Sequence, residues 1–169
     1  MVACAALRRA PNPPTQMPKK AQRGRPDQPD MTSDKELYNE LTYYTLSHSD
    51  PSFIHQHVVD AFAAQNADEQ PKAIASVFGL IGLYLYVEKG LTGKQVQRAH
   101  MQLAKRRKKW PKLSLPEQRG SITVSDVVKV SPGIQRDKMI RAWCASVWEA
   151  WKASRSEVLA LIPDDLGIR

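Results

Sequence analysis

The sequence predicts an all-α protein, a compact bundle of about five helices packed around one buried central helix and preceded by a disordered amino-terminal tail. Three observations lead there. Residues 73–87, within PKAIASVFGLIGLYLYVEKG, carry no charge and show no polar face, and a helix apolar on every side is buried. Helix-start signals recur along the chain at Ser33-Asp34-Lys35-Glu36, Asp50-Pro51, Thr92-Gly93-Lys94-Gln95 and Thr123 to Asp126, where a side-chain oxygen takes an orphan amide and the third residue on reaches back. No alternating stretch is long enough to build a sheet.

The central segment spans roughly 22 Å at about 1.5 Å per residue, short of the about 20 apolar residues that cross a bilayer. It also contains Ser76, Gly79 and Gly82, so a soluble core helix is expected and no membrane contact. Ala75, Gly79, Gly82 and Tyr86 fall on one stripe, where missing side chains let a neighbouring backbone approach.

The 169 residues suit one domain, 31–169, plus a tail, 1–30. Two cysteines, Cys4 and Cys144, cannot form a disulfide framework or a four-ligand zinc site, so a reducing cytoplasm is the expected setting. The net charge of +8 is uneven: residues 31–88 hold two basic and eight acidic groups, whereas 89–112 hold nine basic groups and none acidic. The tail contains half of the prolines and six basic residues, a composition that resists folding. It reads as an upstream extension of the reading frame, with a targeting presequence or an arm like the core of an AT-hook at Arg23-Gly24-Arg25 as the alternatives.

In chain order, helices are expected near 34–48, 51–66, 69–89, 93–109 and 135–161, with a short one after Thr123. The first turns Leu37, Leu41, Tyr44 and His48 inward. The second packs through Ile54, Val58, Ala61 and Phe62, with Gln65 inside that face and Asp60 away from its centre. A buried amide without a partner costs about 1–3 kcal/mol, so Gln65 needs one, expected to be a buried histidine with a tyrosine. Lys89-Gly90 closes the central helix. Val96, Ala99, His100 and Leu103 line the fourth, and Trp110-Pro111 stops it. The last carries Ile140, Trp143, Cys144, Val147, Trp151, Val158 and Leu161 on one side.

Tyr38-Asn39-Glu40-Leu41, Ser47 to Pro51, His55 to Gln65, Trp110-Pro111, Ile122 to Val127 and Trp143 to Trp151 together resemble a family of small prokaryotic proteins known only as a domain of unknown function, over roughly 35–158. The resemblance implies a fold without an assigned activity. Many such proteins carry paired cysteines near the amino end and further histidines around the positions of Asn66 and Arg155. This chain has neither, so no family metal site is carried over.

Two candidate sites follow. A polar pocket would draw on His48, His55, His57, Asp60, Gln65 and His100. Neutral imidazole is a common transition-metal ligand, yet His55 and His57 are two apart and diverge on a helix where a chelating pair wants i, i+4. Packed, hydrogen-bonded histidines are therefore expected, with no metal and no cofactor. An anion-binding segment would use Lys105, Arg106, Arg107, Lys108, Lys109 and Trp110, five successive cations that exceed what a helix carboxyl end requires, beside an indole able to stack on an unpaired base. Cys144, on an apolar face among tryptophans, reads as an inert core thiol. The functional expectation is a non-enzymatic binding module meeting nucleic acid or an acidic protein through 94–112. The alternative is a small enzyme with a His-lined pocket, and self-association is compatible with either.

Overall fold

The computed structural model describes residues 33–69, 72–106 and 109–163. The expectations for the tail, and those for Arg107 and Lys108, lie outside the described residues. The described chain is all-helical and contains no strand. Its helices are α1 (Asp34–Ser47), α2 (His55–Gln65), α3 (Ala73–Val87), α4 (Gly93–Arg106), α5 (Val124–Lys129), α6 (Ile134–Ala150) and α7 (Arg155–Leu159), with a 3₁₀ turn at Lys152–Ser154 between the last two. None is long and apolar enough to cross a membrane among the described residues.

The capping signals act where the sequence places them. The Ser33 N–H donates to Glu36 Oε2 at 2.8 Å and the Glu36 N–H to Ser33 Oγ at 3.3 Å. Thr92 and Gln95 repeat this at α4, where the Thr92 N–H donates at 2.8 Å. At α5 the Thr123 N–H donates to Asp126 Oδ2 at 2.9 Å. Gly90, at φ +68, closes α3, with the Gly90 N–H donating to the Tyr86 carbonyl and the Leu91 N–H to the Leu85 carbonyl. Glycine adopts that left-handed conformation without steric cost.

Three boundaries differ most from expectation. Helix α2 begins at His55, not Pro51, because Asp50 folds its carboxylate over a turn, accepting from the Ser52 N–H at 2.8 Å and the Ile54 N–H at 2.5 Å. Phe53, at φ +61, then interrupts any helix starting earlier. Helix α3 starts at Ala73 because Lys72 is extended. The single helix expected over 135–161 breaks at Trp151, where the Trp151 N–H bonds to the Trp148 carbonyl in a tightened turn; α7 then packs on α3 with Val158 buried.

Helix α3 is the axis, contacted by α2, α4, α6 and α7. Val77, Leu80, Ile81, Leu83 and Leu85 are at most 1% exposed, which makes it the buried central helix. Its glycine stripe meets α2. A Cβ at Gly79 would lie 2.6 Å from the Asp60 carbonyl oxygen and 3.1 Å from the Ala64 nitrogen, and a Cβ at Gly82 would occupy the space of the Asp60 carboxyl. Packed against both α2 and α3, Trp143, Cys144 and Val147 of α6 complete the core. Arg136 of α6, also buried, donates to the carbonyls of Val128 at 2.8 Å and Val130 at 2.9 Å and so holds the end of α5.

Gly79→Ala should therefore lower stability by about 1–3 kcal/mol, the usual cost of overpacking a tight core, although alanine favours a helix interior by up to about 1 kcal/mol. Urea titration reads the balance. A midpoint equal to or above that of the parent would show that α2 and α3 are not in backbone contact.

Candidate functional site

The four imidazoles do not share a site. His48 was expected to face inward, but α1 ends at Ser47 and His48 itself is extended (φ −96, ψ 140), which turns the ring out to solvent. Its Nδ1 donates to the Tyr44 carbonyl at 2.7 Å, satisfying an acceptor that the helix end leaves open. His55 is half-buried, its Nδ1 2.9 Å from the Thr45 hydroxyl, and burial lowers its pKa. His57 is buried and stacked on Tyr86, ring centroids 3.5 Å apart and planes 13° apart. Burial lowers its pKa to about 4. His100 is buried against Phe78, rings nearly parallel at 4.9 Å, and bonds to the Phe78 backbone; burial lowers its pKa to about 4 as well. Each ring packs on a different partner, and among the described residues no three His, Cys, Asp or Glu side chains are grouped to hold a metal ion.

Asp60 was expected to point away from the centre of the α2 face. It is instead 3% exposed, because the glycines of α3 bring that helix against the side of α2 on which Asp60 stands. Gln56 Nε2 donates to Asp60 Oδ1 at 3.0 Å, while Oδ2 has no partner. Burial holds the carboxyl well above the usual carboxylate range, favouring the protonated acid. Cys144 is fully buried, its thiol donating to the His57 carbonyl at 3.6 Å, and desolvation, with Asp60 adding to it, pushes its pKa up. A thiol held in its protonated form is a poor nucleophile. His57, Asp60, Tyr86 and Cys144 thus line the packed seam of α2, α3 and α6.

Gln65 does have partners, and they are neither histidine nor tyrosine. The Trp143 indole N–H donates to its Oε1 at 2.8 Å, and its Nε2 donates to the carbonyls of Ile122 at 2.8 Å and Arg119 at 3.2 Å. The amide joins α2 to α6 and pins the loop that leads into α5.

The basic segment divides. Lys105 and Arg106 end α4, and Lys109 lies beyond it; all three are exposed. Trp110 is not presented for base stacking: it is half-buried and meets Phe78 edge-on, centroids 4.7 Å apart and planes 72° apart. Lys94, Arg98 and Lys105 line the exposed side of α4, which contains no acidic residue. The ion pairs among the described residues are Arg119–Asp68 and Arg155–Glu149. Neither involves Lys94, Arg98, Lys105, Lys109 or Lys112.

One feature escaped the sequence. A cavity of about 350 Å³ lies where the α2–α3 turn, the first turn of α3, the 112–115 loop and Trp151 meet. Four separate segments build it, each with one to three unremarkable residues, so no local spacing announces it.

A family of unknown function, DUF5946, has a sequence model that matches residues 27–152. The chain belongs to this family. The match takes in all of α1 to α6, and with them the glycine contact, the Gln65 network and the exposed face of α4 of this DUF5946 member. No curated protein and no solved structure gives a match.

Replacing Gln65 by leucine in the DUF5946 domain should cost about 1–3 kcal/mol despite the gain in apolar character, since it strands the Trp143 indole N–H in the interior. Urea denaturation monitored by tryptophan fluorescence measures this. Stability at or above the parent value would mean that the amide network contributes nothing net.

Proposed function

We propose that this domain is a non-enzymatic binding module that takes the phosphate backbone of nucleic acid along the exposed face of α4. The observation that carries the reading is the run of exposed cations at Lys94, Arg98 and Lys105, with no acid on that helix and, among the described residues, no ion pair to neutralise them. Residues at i, i+4 and i+11 share a helical face. From Lys94 to Lys105 the strip is roughly 16 Å long at about 1.5 Å per residue, and duplex DNA offers about one charge per 1.7 Å of axis. Lys109 and Lys112, also exposed, follow the helix in sequence. Phosphate contacts of this kind position a protein without reading sequence, so binding is sequence-independent. The module is read as cytoplasmic, where a thiol such as Cys144 stays reduced.

What supports a binding role over a His-lined catalytic pocket is the employment of the imidazoles. His57 and His100 are closed in ring stacks, His48 caps a helix end and His55 bonds to Thr45.

Fluorescence anisotropy of the full chain with labelled single- and double-stranded oligonucleotides tests the reading, against a variant with Lys94, Arg98 and Lys105 changed to serine. The parent should bind at low salt, log K falling with log salt at a slope of roughly −0.7 to −0.9 per phosphate neutralised. The variant should bind at least about tenfold more weakly, with a slope shallower by about two to three. Equal binding by both proteins, or none by the parent at low salt, contradicts the proposal. Preference for poly-glutamate over oligonucleotide would reassign the face to an acidic protein.

A further inference from the structure

Helix α1 packs on α2 and α5, with Leu41 and Thr45 buried, and its other side carries Glu36, Glu40 and Tyr43 in the open. Tyr43 is 76% exposed and Leu46, three residues on, is 55% exposed. Apolar side chains that stand together on a surface, unlike single scattered ones, mark contact sites. Glu36 gives one carboxylate oxygen to the helix cap. Neither Glu36 nor Glu40 has an ion-pair partner among the described residues.

A complementary surface exists on the same protein. Helix α4 exposes Lys94, Arg98, Met101 and Lys105, with Met101 54% exposed. These four stand at i, i+4, i+7 and i+11, and Glu36, Glu40, Tyr43 and Ser47 of α1 have the same spacing. Each set lies along one helical face. With the two helices side by side and pointing the same way, Glu36 meets Lys94, Glu40 meets Arg98, and Tyr43 meets Met101, a thioether against an aromatic ring. Running in opposite directions, they would set Glu40 against Met101, so the first arrangement pairs more charge. Within one chain α4 rests on α2 and α3 and both faces are open to solvent. They can therefore meet only between copies.

We propose that α1 of one copy of this chain docks on α4 of a second copy, with the carboxylates of Glu36 and Glu40 on Lys94 and Arg98 and the Tyr43 ring on Met101. The contact does not rest on the nucleic-acid reading, although both use the α4 face: a second copy and a phosphate backbone exclude one another there. A helix face about 21 Å long buries less than the roughly 800 Å² per partner of a stable interface, and exposed ion pairs are screened by salt. The association is therefore weak, concentration-dependent and salt-sensitive.

Sedimentation equilibrium of the full chain, freed of nucleic acid, tests this. At low ionic strength the average mass should rise above that of a single chain as the concentration climbs to about 1 mM, the range a weak contact requires. It should fall back at about 1 M salt, where charges act over only about 3 Å. Glu40→Lys and Arg98→Glu, both at exposed positions, should each weaken association at least about tenfold by setting like charges together. An equimolar mixture of the two variants should recover it, because each supplies the charge that the other has lost. Tyr43→Ser, which alters no charge, should weaken it about threefold or more. A parent that stays monomeric at low salt, unchanged association in any of the three variants, or a mixture no stronger than its components would each overturn the proposal. No oligonucleotide is present, so such a failure is distinct from a failure of the phosphate reading.

Discussion

The approach of α2 to α3 is the constraint from which the remaining geometry follows. Two glycines one turn apart on α3 remove the side chains that would hold the helices at ordinary spacing, and the Asp60 carboxyl and backbone fill the space they leave. An ionised carboxylate there would lose its hydration and gain one hydrogen bond, from Gln56. Burial of this kind is resolved by keeping the acid neutral. The α2–α3 pair then offers one continuous apolar surface, on which α6 lays Ile140, Trp143, Cys144 and Val147.

With α3 surrounded, the polar chemistry is pushed to the periphery of the bundle. Helix α4 covers α3 through Val96, Ala99, His100 and Leu103 and leaves its cations outside. The short loops at the far end meet around Trp151 without filling the space between them. The helical core therefore supports two separate surfaces, a charged helix face and a small lined cavity, and the buried histidines belong to neither.

What could be read in the sequence was what depends on neighbours along the chain. Ser33 with Glu36, Thr92 with Gln95, Thr123 with Asp126, and Gly90 after Lys89 each act within one turn, and each sets a boundary where its pattern stands. The glycine stripe of α3 was legible because helical periodicity places Gly79 and Gly82 together whatever packs there. The facing residue was not. Asp60 lies off the centre of the α2 face, and only the close approach of the α3 glycines brings it inside. Gln65 shows the same division: its burial announces a partner, but Trp143 and the Ile122 carbonyl lie 78 and 57 residues away. His48 failed for a local reason, since one extended residue at the helix end reverses its direction. The cavity, assembled from four segments, had no local signal at all.

The account depends most on Asp60 being buried as a neutral acid between α2 and α3. Its folded pKa is then above that of the unfolded carboxyl, about 3.9, so the native state retains a proton that the unfolded chain releases. The stability this contributes is complete below about pH 4 and is lost as pH rises towards the folded pKa. Asparagine cannot ionise, and the difference between Asp60→Asn and the parent cancels the opposing contributions of His57 and His100. The decisive measurement is the urea stability of both proteins from acid to neutral pH. The account predicts that the variant gains on the parent as pH rises above about 4, by up to about 1.4 kcal/mol per pH unit. A difference that does not change with pH, or a variant that loses ground as pH rises, would mean that Asp60 is ionised in the folded protein and that α2 and α3 do not close around it.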